Sequence, residues 1–458
     1  MNRREFIAGA GSVILASGCR SAAFFGRPDL VFGVISDVHI TTQASVADLR
    51  KALKYFKRRG VDAVMSPGDL TDWGTKMSLK YFKRTWDEVF GGTDVVALFC
   101  TGNHEYEGYR YGDMALEMRA NGVSESEALT KLGFEKTWRE VMGEDLLPIN
   151  VKSVKGYDFV SAEWGAQDGL GVWMEENGHR FANGKPFFFF QHAPIKGTTT
   201  DSGRSGTNTK EILSKYPNCI AFTGHTHQVF HDEGLFWKGE FTVVATPSLS
   251  YASLPGGENT VGRRDGTLEH VMQPIPSRRD LCGDQGFVVN VWRDKVVIER
   301  IDLEEEASDC RDWVLPLTEA ARRESQSCKS PAPKFSKGAI VATQTMNTEN
   351  RMGKWVIAMN LEFPTPTTDC NCRVKFYEVR AIPFDGSDCQ MVRRFVSPAY
   401  HYMRKYEPIK QRFWFDVNDL PQDKSFYLQV RAINTFGVWS QPIRSEELFM
   451  LPPKKTNP

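Results

Sequence analysis

The first two thirds of the chain contain short apolar runs, and many of these runs stop abruptly at a cluster of polar residues. The runs are continuous instead of strictly alternating, which is typical of strands buried on both faces. Seven runs have this character: Leu30–Ser36, Ala63–Ser66, Val95–Cys100, Phe187–Phe190, Ile220–Phe222, Phe241–Ala245 and Phe287–Val291. Amphipathic stretches such as Ser45–Arg59 lie between them and have the helical period. The pattern predicts a layered α/β fold in which β-sheets are flanked by helices.

Composition excludes several broad classes of protein. Of the 458 residues, 41% are hydrophobic and 25% are charged, so disorder, collagen-like repeats and coiled coil are excluded as the bulk state. Lys+Arg and Asp+Glu both number 57, and the formal net charge is therefore zero. Because no overall positive field attracts a polyphosphate, general nucleic-acid binding is disfavoured.

The sequence changes character after the apolar runs and predicts two domains with a join. We assign residues 29–305 to the α/β domain, and residues 306–335, which are acidic and contain Ser and Pro, to a linker. Residues 336–458 contain runs that alternate at period two, as a β-sandwich requires. The stretch from Phe426 to Ser440 is similar to the last hairpin of a fibronectin type III module, which implies an all-β sandwich for this domain.

The N-terminus has the parts of an export signal. Arg3 and Arg4 precede a short apolar stretch that ends at Ala16-Ser17-Gly18-Cys19. Residues 1–20 resemble a twin-arginine signal combined with a bacterial lipoprotein cleavage box. The resemblance implies an exported bacterial protein, either periplasmic or anchored to a membrane by a lipid on Cys19. An ordinary cleaved signal, in which Cys19 is discarded, is the alternative.

Five of the apolar runs end at residues that can bind a cation. In chain order the ends are Ser36-Asp37-Val38-His39, Gly68-Asp69-Leu70-Thr71-Asp72, Gly102-Asn103-His104-Glu105, Gln191-His192-Ala193-Pro194 and Thr223-Gly224-His225-Thr226-His227. Each motif is weak taken singly. Because sites in layered α/β proteins form at the carboxyl ends of strands, we expect the five ends to converge on one crevice.

The residue types in these motifs favour a pair of divalent metal ions. Mixed imidazole and carboxylate ligands suit Mn, Fe, Zn or Ni and argue against an all-oxygen Ca or Mg site. Seven candidate ligands exceed what one ion takes from protein with a coordination position left open. Two ions roughly 3.5–4 Å apart that share a carboxylate fit better, and such a pair supports phosphoryl transfer by activating a water and neutralising charge.

The ordered set of motifs resembles the calcineurin-like metallophosphoesterase superfamily from Asp29 to about Leu303. The resemblance implies seven metal ligands: Asp37, His39 and His227 for one ion, Asn103, His192 and His225 for the other, and Asp69 as the bridge between them.

The same resemblance implies two catalytic residues beside the metals. His104 is the general acid that faces the leaving-group oxygen, and Asp72 is the partner that fixes its tautomer and orientation. A helix or turn cap is the alternative role for Asp72. Glu105 is expected to be a solvated or capping residue at a loop end. Trp73 stands where protein Ser/Thr phosphatases carry a phosphate-binding arginine, which puts that subfamily in doubt.

These observations predict an exported enzyme that hydrolyses a small phosphomonoester or phosphodiester. A metal-activated hydroxide attacks phosphorus, and His104 protonates the departing alcohol. The alternative is a cell-surface binding protein with a vestigial metal site, whose β-sandwich binds a polysaccharide or a protein.

Overall fold

A computed structural model describes most of the chain after the N-terminal segment. The described residues are 26–200, 202–204, 208–252, 283–308, 310–318, 331–336, 340–349, 355–368, 372–387, 391–397, 400, 409–417, 420–422, 424–446 and 449–451. The predicted export signal, including Cys19, lies outside them. Among the described helices, none has both the length and the apolar character that a membrane span requires.

The N-terminal sandwich comprises the described residues from 26 to 318 and alternates strands with helices. Its strands are β1 (Leu30–Val34), β2 (Ala63–Pro67), β3 (Val96–Cys100), β4 (Ile149–Val154), β5 (Tyr157–Ala162), β6 (Phe187–Gln191), β7 (Cys219–Thr223), β8 (Phe236–Lys238), β9 (Thr242–Ala245), β10 (Gln285–Val291), β11 (Lys295–Asp302) and β12 (Trp313–Pro316). Its helices are α1 (Val46–Arg59), α2 (Lys76–Phe90), α3 (His104–Tyr111), α4 (Asp113–Ala120), α5 (Glu125–Leu132), α6 (Phe134–Met142), α7 (Leu170–Asn177) and α8 (Thr209–Leu213).

These strands form two mixed sheets of six strands each. One has the order β12-β11-β10-β1-β2-β3, and the other has the order β4-β5-β6-β7-β9-β8. Strands β1, β2 and β3 run parallel, as do β5, β6, β7 and β9. Neighbouring parallel strands therefore end at the same edge of each sheet, where the loops that follow them meet.

The two sheets pack face to face around an aromatic core. The ring of Phe32 on β1 lies 5.2 Å from that of Phe159, 4.9 Å from that of Phe188 and 6.0 Å from that of Phe222, all on the opposite sheet. Separate apolar clusters join α1, α2 and α6 to the first sheet, and α7 and α8 to the second. The predicted layered α/β sandwich with flanking helices is confirmed.

The segment predicted to be a linker contributes to the first sheet. Within residues 306–335, β12 pairs antiparallel with β11, and Trp313 is 4% exposed in the core between the sheets. The N-terminal sandwich therefore extends to at least Pro316, beyond the boundary predicted at residue 305. The acidic character of the preceding residues Glu304–Glu306 obscured this edge strand.

The C-terminal sandwich comprises the described residues from 331 to 451 and is built from β-strands. Its strands are β13 (Val341–Glu349), β14 (Trp355–Pro364), β15 (Val374–Pro383), β16 (Met391–Val396), β17 (Lys410–Asp416), β18 (Ser425–Asn434), β19 (Ile443–Arg444) and β20 (Phe449–Met450). A three-stranded sheet and a five-stranded sheet share one apolar core, in which Phe363 lies 5.2 Å from Tyr377. Strand β18 alternates as predicted, since Phe426, Leu428 and Val430 are fully buried.

Candidate metal centre

The polar ends of five strands meet at the junction of the two sheets. Asp37 and His39 follow β1, Asp69 follows β2 and Asn103 follows β3, so the first sheet supplies four of the expected ligands. His192 follows β6, and His225 and His227 follow β7, so the second sheet supplies the other three. The predicted convergence on one site is therefore observed.

The ligand atoms form two groups that share one carboxylate. Asp37, His39, Asp69 and His227 offer atoms that lie within 4.8 Å of one another, and so do Asp69, His192 and His225. His227 Nε2 is 2.8 Å from Asp37 Oδ1, and His192 Nε2 is 3.0 Å from Asp69 Oδ2. Because Asp69 belongs to both groups, the cluster indicates a dinuclear divalent metal site.

Contacts on the far side of the imidazole rings orient them toward the cluster. Nδ1 of His192 is 2.8 Å from the carbonyl oxygen of Pro67, and Nδ1 of His227 is 3.0 Å from the carbonyl oxygen of Tyr251. When its ring is neutral, a histidine whose Nδ1–H donates to a carbonyl presents an unprotonated Nε2, which is the form that binds a metal. Both rings are therefore fixed in a ligand orientation.

Asn103 supplies a direct test of whether the site fits a cation. Its Oδ1 is buried and has no hydrogen-bond partner, although its Nδ2 donates to Glu107 Oε1 over 3.3 Å. A buried amide oxygen without a partner costs roughly 1–3 kcal/mol. A metal ion at this position removes that cost, so the residues present fit the implied ligand set.

The backbone at the site is strained in a way that the sequence does not reveal. Five expected ligands have positive φ values between 51° and 73°: Asp37, His39, Asp69, His225 and His227. They are five of the eight non-glycine residues with positive φ within the described ranges. Left-handed backbone at such residues persists only where the surroundings enforce it, and it concentrates at functional sites.

Two motif glycines allow the backbone to approach the carboxylates closely. A Cβ on Gly102 would lie 2.1 Å from Asp69 Oδ1, and a Cβ on Gly224 would lie 2.9 Å from Asp37 Oδ2. Since real Cβ atoms essentially never approach within 3.0 Å, neither position accommodates a larger residue without movement.

Asp72 contacts two histidines, of which the sequence predicted only one. Its Oδ1 lies 2.9 Å from His39 Nδ1 and 3.3 Å from His104 Nδ1, and its backbone oxygen lies 3.0 Å from His104 Nδ1. The N-cap that accepts from the first turn of α2 is Thr75. The carboxylate of Asp72 therefore orients His39 as well as His104.

Electrostatics within the cluster favour ionised carboxylates beside the imidazoles. Burial raises the pKa of Asp37 and of Asp69, but the neighbouring histidines outweigh it and hold both pKa values below the ordinary range. Burial lowers the pKa of His192, but the charges of Asp69 and Asp37 raise it to about 9. For His104, burial is outweighed by the hydrogen bond to Asp72 and the charge of Asp69, so its pKa rises to about 10.

Glu105 is buried, so of the two roles predicted for it the solvated one is wrong, whereas its bonds to backbone N–H groups are of the capping kind. It is fully buried, and its carboxylate accepts from the backbone N–H groups of Asp69, Thr71 and Gly102. It thereby braces the loops that follow β2 and β3. Burial and the charge of Asp69 raise the pKa of Glu105 to about 7. The sequence shows only an acidic residue directly after the Gly-Asn-His motif. This pattern could not distinguish a buried carboxylate that accepts backbone hydrogen bonds from a charged residue on the surface.

Two aromatic rings at the site were also missed from the sequence. The Trp164 ring is 5.7 Å from the ring of His192 and 5.8 Å from that of His225. The Tyr251 ring is 4.3 Å from the ring of His227. Neither aromatic residue belongs to a motif, so only the folded chain brings it to the imidazoles.

A carboxylate shared between two imidazole-containing groups, at strand ends of a layered α/β sandwich, is the arrangement expected of a dinuclear metallohydrolase. Comparison with known proteins agrees, because residues 30–229 match the calcineurin-like phosphoesterase family. This part of the chain is similar to calcineurin-like phosphoesterase domains. The match supports a metal-dependent phosphoester hydrolase.

Individual relatives were found by sequence and by structure. The chain is 25% identical over 259 residues to a probable glycerophosphodiester phosphodiesterase GpdQ from Arcobacter nitrofigilis, covering 52% of this chain and 84% of that protein. A dimetal phosphatase from Danio rerio aligns with 14% identity and a TM-score of 0.36, over 64% of this chain and 100% of that one. Purple acid phosphatase PPD1 from yellow lupin seeds aligns with 13% identity and a TM-score of 0.37, over 63% of this chain and 53% of that one.

Proposed function

We propose that the protein is an exported, dinuclear metal-dependent phosphoesterase. The observation that carries the proposal is the carboxylate of Asp69, which belongs to both groups of candidate ligands. When bound, the two ions supply a nucleophilic water of lowered pKa and positive charge beside the phosphoryl oxygens. The six aspartates and histidines of the expected set contribute to these two groups, which supports an active centre instead of a vestigial one.

The proposed ligands divide between the two ions according to the observed groups. One ion would be held by Asp37, His39 and His227 and the other by Asn103, His192 and His225, and Asp69 would be shared between them. The orphaned Oδ1 of Asn103 supports its place in this set. The donor set favours Mn, Fe, Zn or Ni.

His104 is the proposed general acid. Its Nδ1 contacts the backbone oxygen of Asp72, and its Nε2 lies 4.0 Å from Asp69 Oδ2, on the side of the cluster. A proton at Nε2 is transferred to the leaving-group oxygen as the ester bond breaks. The carboxylate of Asp72 holds the ring in the required orientation.

The proposed substrate is a small phosphomonoester or phosphodiester. A glycerophosphodiester is the first natural diester to test, since a relative carries that activity in its name. The test loads the purified protein with Mn²⁺, Fe²⁺, Zn²⁺ or Ni²⁺ and follows release of p-nitrophenol from aryl mono- and diesters. Absence of metal-dependent hydrolysis with every ion would refute the proposal.

Two variants separate the proposed roles. Asp69→Asn is expected to lose bound metal, and Asp87→Asn, which changes an exposed aspartate on α2, is its matched control. His104→Ala is expected to retain the metal and to lower turnover by roughly 10²- to 10⁴-fold. Exposed His179 provides the control for that change, His179→Ala. Full activity in both site variants would show that the roles are assigned wrongly.

We further propose that residues 1–20 direct export and that Cys19 carries a lipid anchor. The twin arginines and the Ala-Ser-Gly-Cys box support this proposal. Mass spectrometry of the mature protein distinguishes a lipidated Cys19 from a signal that is removed together with it. The C-terminal sandwich is proposed to be a fibronectin type III-like module that binds a polysaccharide or a protein.

A further inference from the structure

The loop that follows the last proposed ligand, His227, contacts the C-terminal sandwich through a buried aspartate. Asp232 is 1% exposed. Its Oδ2 accepts from the hydroxyl of Tyr400 over 3.0 Å and from Nζ of Lys375 on β15, both in the C-terminal sandwich. Thr200 in the N-terminal sandwich donates to the same oxygen over 3.2 Å. This carboxylate therefore joins the two sandwiches.

Further contacts between the sandwiches lie on the same loop. The Tyr400 hydroxyl is 3.3 Å from Oε1 of Gln228, the residue directly after His227, and Gln228 is fully buried. The backbone N–H of Glu233 donates to the carbonyl oxygen of Thr435 over 3.3 Å. The loop from residue 228 to 235 is thus held at Gln228, Asp232 and Glu233 by groups that belong to the other sandwich.

The charge at Asp232 makes the loop conformation depend on that docking. A buried carboxylate without a compensating cation costs several kcal/mol. Lys375 is its ion-pair partner across the interface, and the side chains of both residues are largely buried, at 15% and 2% exposure. If the C-terminal sandwich moves away, Asp232 loses its compensating cation, and a loop conformation in which this carboxylate reaches water is favoured.

The loop conformation in turn bears on the metal centre. His227 has a φ of 51°, and such strained backbone persists only where its surroundings over-determine it. On one side His227 follows β7, and on the other side it precedes the loop anchored at Asp232. Loss of that anchor removes part of the support on the C-terminal side of the strained residue and leaves the contacts that Gln285 and Arg300 of the N-terminal sandwich make with Phe230.

We propose that the C-terminal sandwich positions the metal centre, with Lys375 and Tyr400 holding the 228–235 loop so that His227 keeps its ligand geometry. The inference rests on the dinuclear site of the proposed function. It assigns Lys375, Tyr400 and Asp232 as positioning residues that act through His227 and touch neither the metal nor the substrate.

The test measures Mn²⁺ affinity of the full-length protein from the electron paramagnetic resonance signal of free Mn²⁺. Tyr400→Phe removes one hydroxyl, and Lys375→Met leaves Asp232 buried without its cation. Each change is expected to weaken Mn²⁺ binding about 2- to 30-fold, the range for energetic coupling between separated sites. The KM for an aryl diester is expected to stay constant while kcat falls at limiting Mn²⁺, because substrate contacts are unchanged.

A charge-rescue pair distinguishes positioning from a general loss of stability. Adding Asp232→Asn to Lys375→Met removes the uncompensated carboxylate, so the double variant is expected to bind Mn²⁺ more tightly than Lys375→Met alone. The matched controls, Tyr427→Phe and Lys424→Met, lie in the same sandwich away from this loop and should leave affinity unchanged.

The outcomes separate this inference from the function on which it rests. Wild-type protein that binds none of Mn²⁺, Fe²⁺, Zn²⁺ and Ni²⁺ would refute both, and if it binds one of the other ions instead of Mn²⁺, the same variants are compared with that ion by chelator competition. Wild-type binding with unaltered affinity in Tyr400→Phe and in Lys375→Met, each shown to be folded by circular dichroism, would overturn the positioning role alone.

Discussion

Gly102 offers the sharpest test of the geometry at the proposed bridging carboxylate. A methyl group added at this residue would lie 2.1 Å from Asp69 Oδ1 and 2.7 Å from the backbone nitrogen of Asp69, whereas ordinary contacts begin at 3.4 Å. The carboxylate oxygen must therefore retreat by 3.4 − 2.1 = 1.3 Å. Since Asp69 is shared by both groups of ligands, the displacement disturbs both.

The magnitudes follow from that displacement. Metal and catalytic constellations tolerate errors of only about 0.5 Å, and a misplacement of about 1 Å costs about 100-fold in rate. Gly102→Ala is therefore expected to lower turnover by about 100-fold or more and to reduce the number of bound Mn²⁺ ions below two per chain. Overpacking at one methyl costs about 1–3 kcal/mol in the free energy of unfolding, so the variant should still fold.

The assay combines metal analysis after gel filtration, aryl diester hydrolysis and urea unfolding of the same preparations. The control is Gly169→Ala, because a Cβ at Gly169 meets nothing within 4 Å. A Gly102→Ala protein that is folded, carries two ions and turns over at the wild-type rate would refute the packing of Gly102 against Asp69.

Further changes test the residues around Asp69 and the apolar core of the C-terminal sandwich. Asp72→Asn removes the negative charge that faces His39 Nδ1 and should weaken Mn²⁺ binding about 10- to 100-fold, as measured by chelator competition. Replacing the aryl leaving group by an alkyl alcohol should enlarge the defect of His104→Ala, since a poor leaving group needs its proton more. Because burial is outweighed by Asp69 and Asp37 and the pKa of His192 is raised to about 9, this ring carries a proton at pH 7 that must leave before a metal binds. Mn²⁺ affinity should therefore rise as pH increases from 7 toward 9, with proton release seen by calorimetry in two buffers. Leu428→Ala, at a fully buried position, should lower the free energy of unfolding by about 2–5 kcal/mol in urea titrations.

Much of the α/β architecture could be predicted because its strands are buried on both faces. Continuous runs such as Phe187–Phe190 carry their own signal, and their polar ends indicated one site. Strands β4 and β5 were missed since they form a hairpin with a partly polar outer strand, β4, that has no such run. Strand β12 was missed because the sequence around it resembles a linker.

The residues of the candidate site were predictable, but the forces that hold them were not. The motifs named the seven side chains, since each follows a recognisable strand end. The positive φ values at residues such as Asp37 and His225 are imposed by tertiary contacts and leave no trace in residue type. The buried brace at Glu105 and the anchor at Asp232 involve residues distant in sequence, so neither is visible in a local pattern.

Because the proposed ligands come from both sheets, bound ions would link the two sheets at their common edge. A small shift of one sheet relative to the other would move His192, His225 and His227 away from the proposed ligands that follow β1, β2 and β3. The affinity for the two ions would then depend on how well the aromatic residues between the sheets, such as Phe32 and Phe188, pack together. Removing the ions with a chelator should weaken the association of the two sheets at this edge. A substitution in the core between the sheets should in turn change the affinity for the ions.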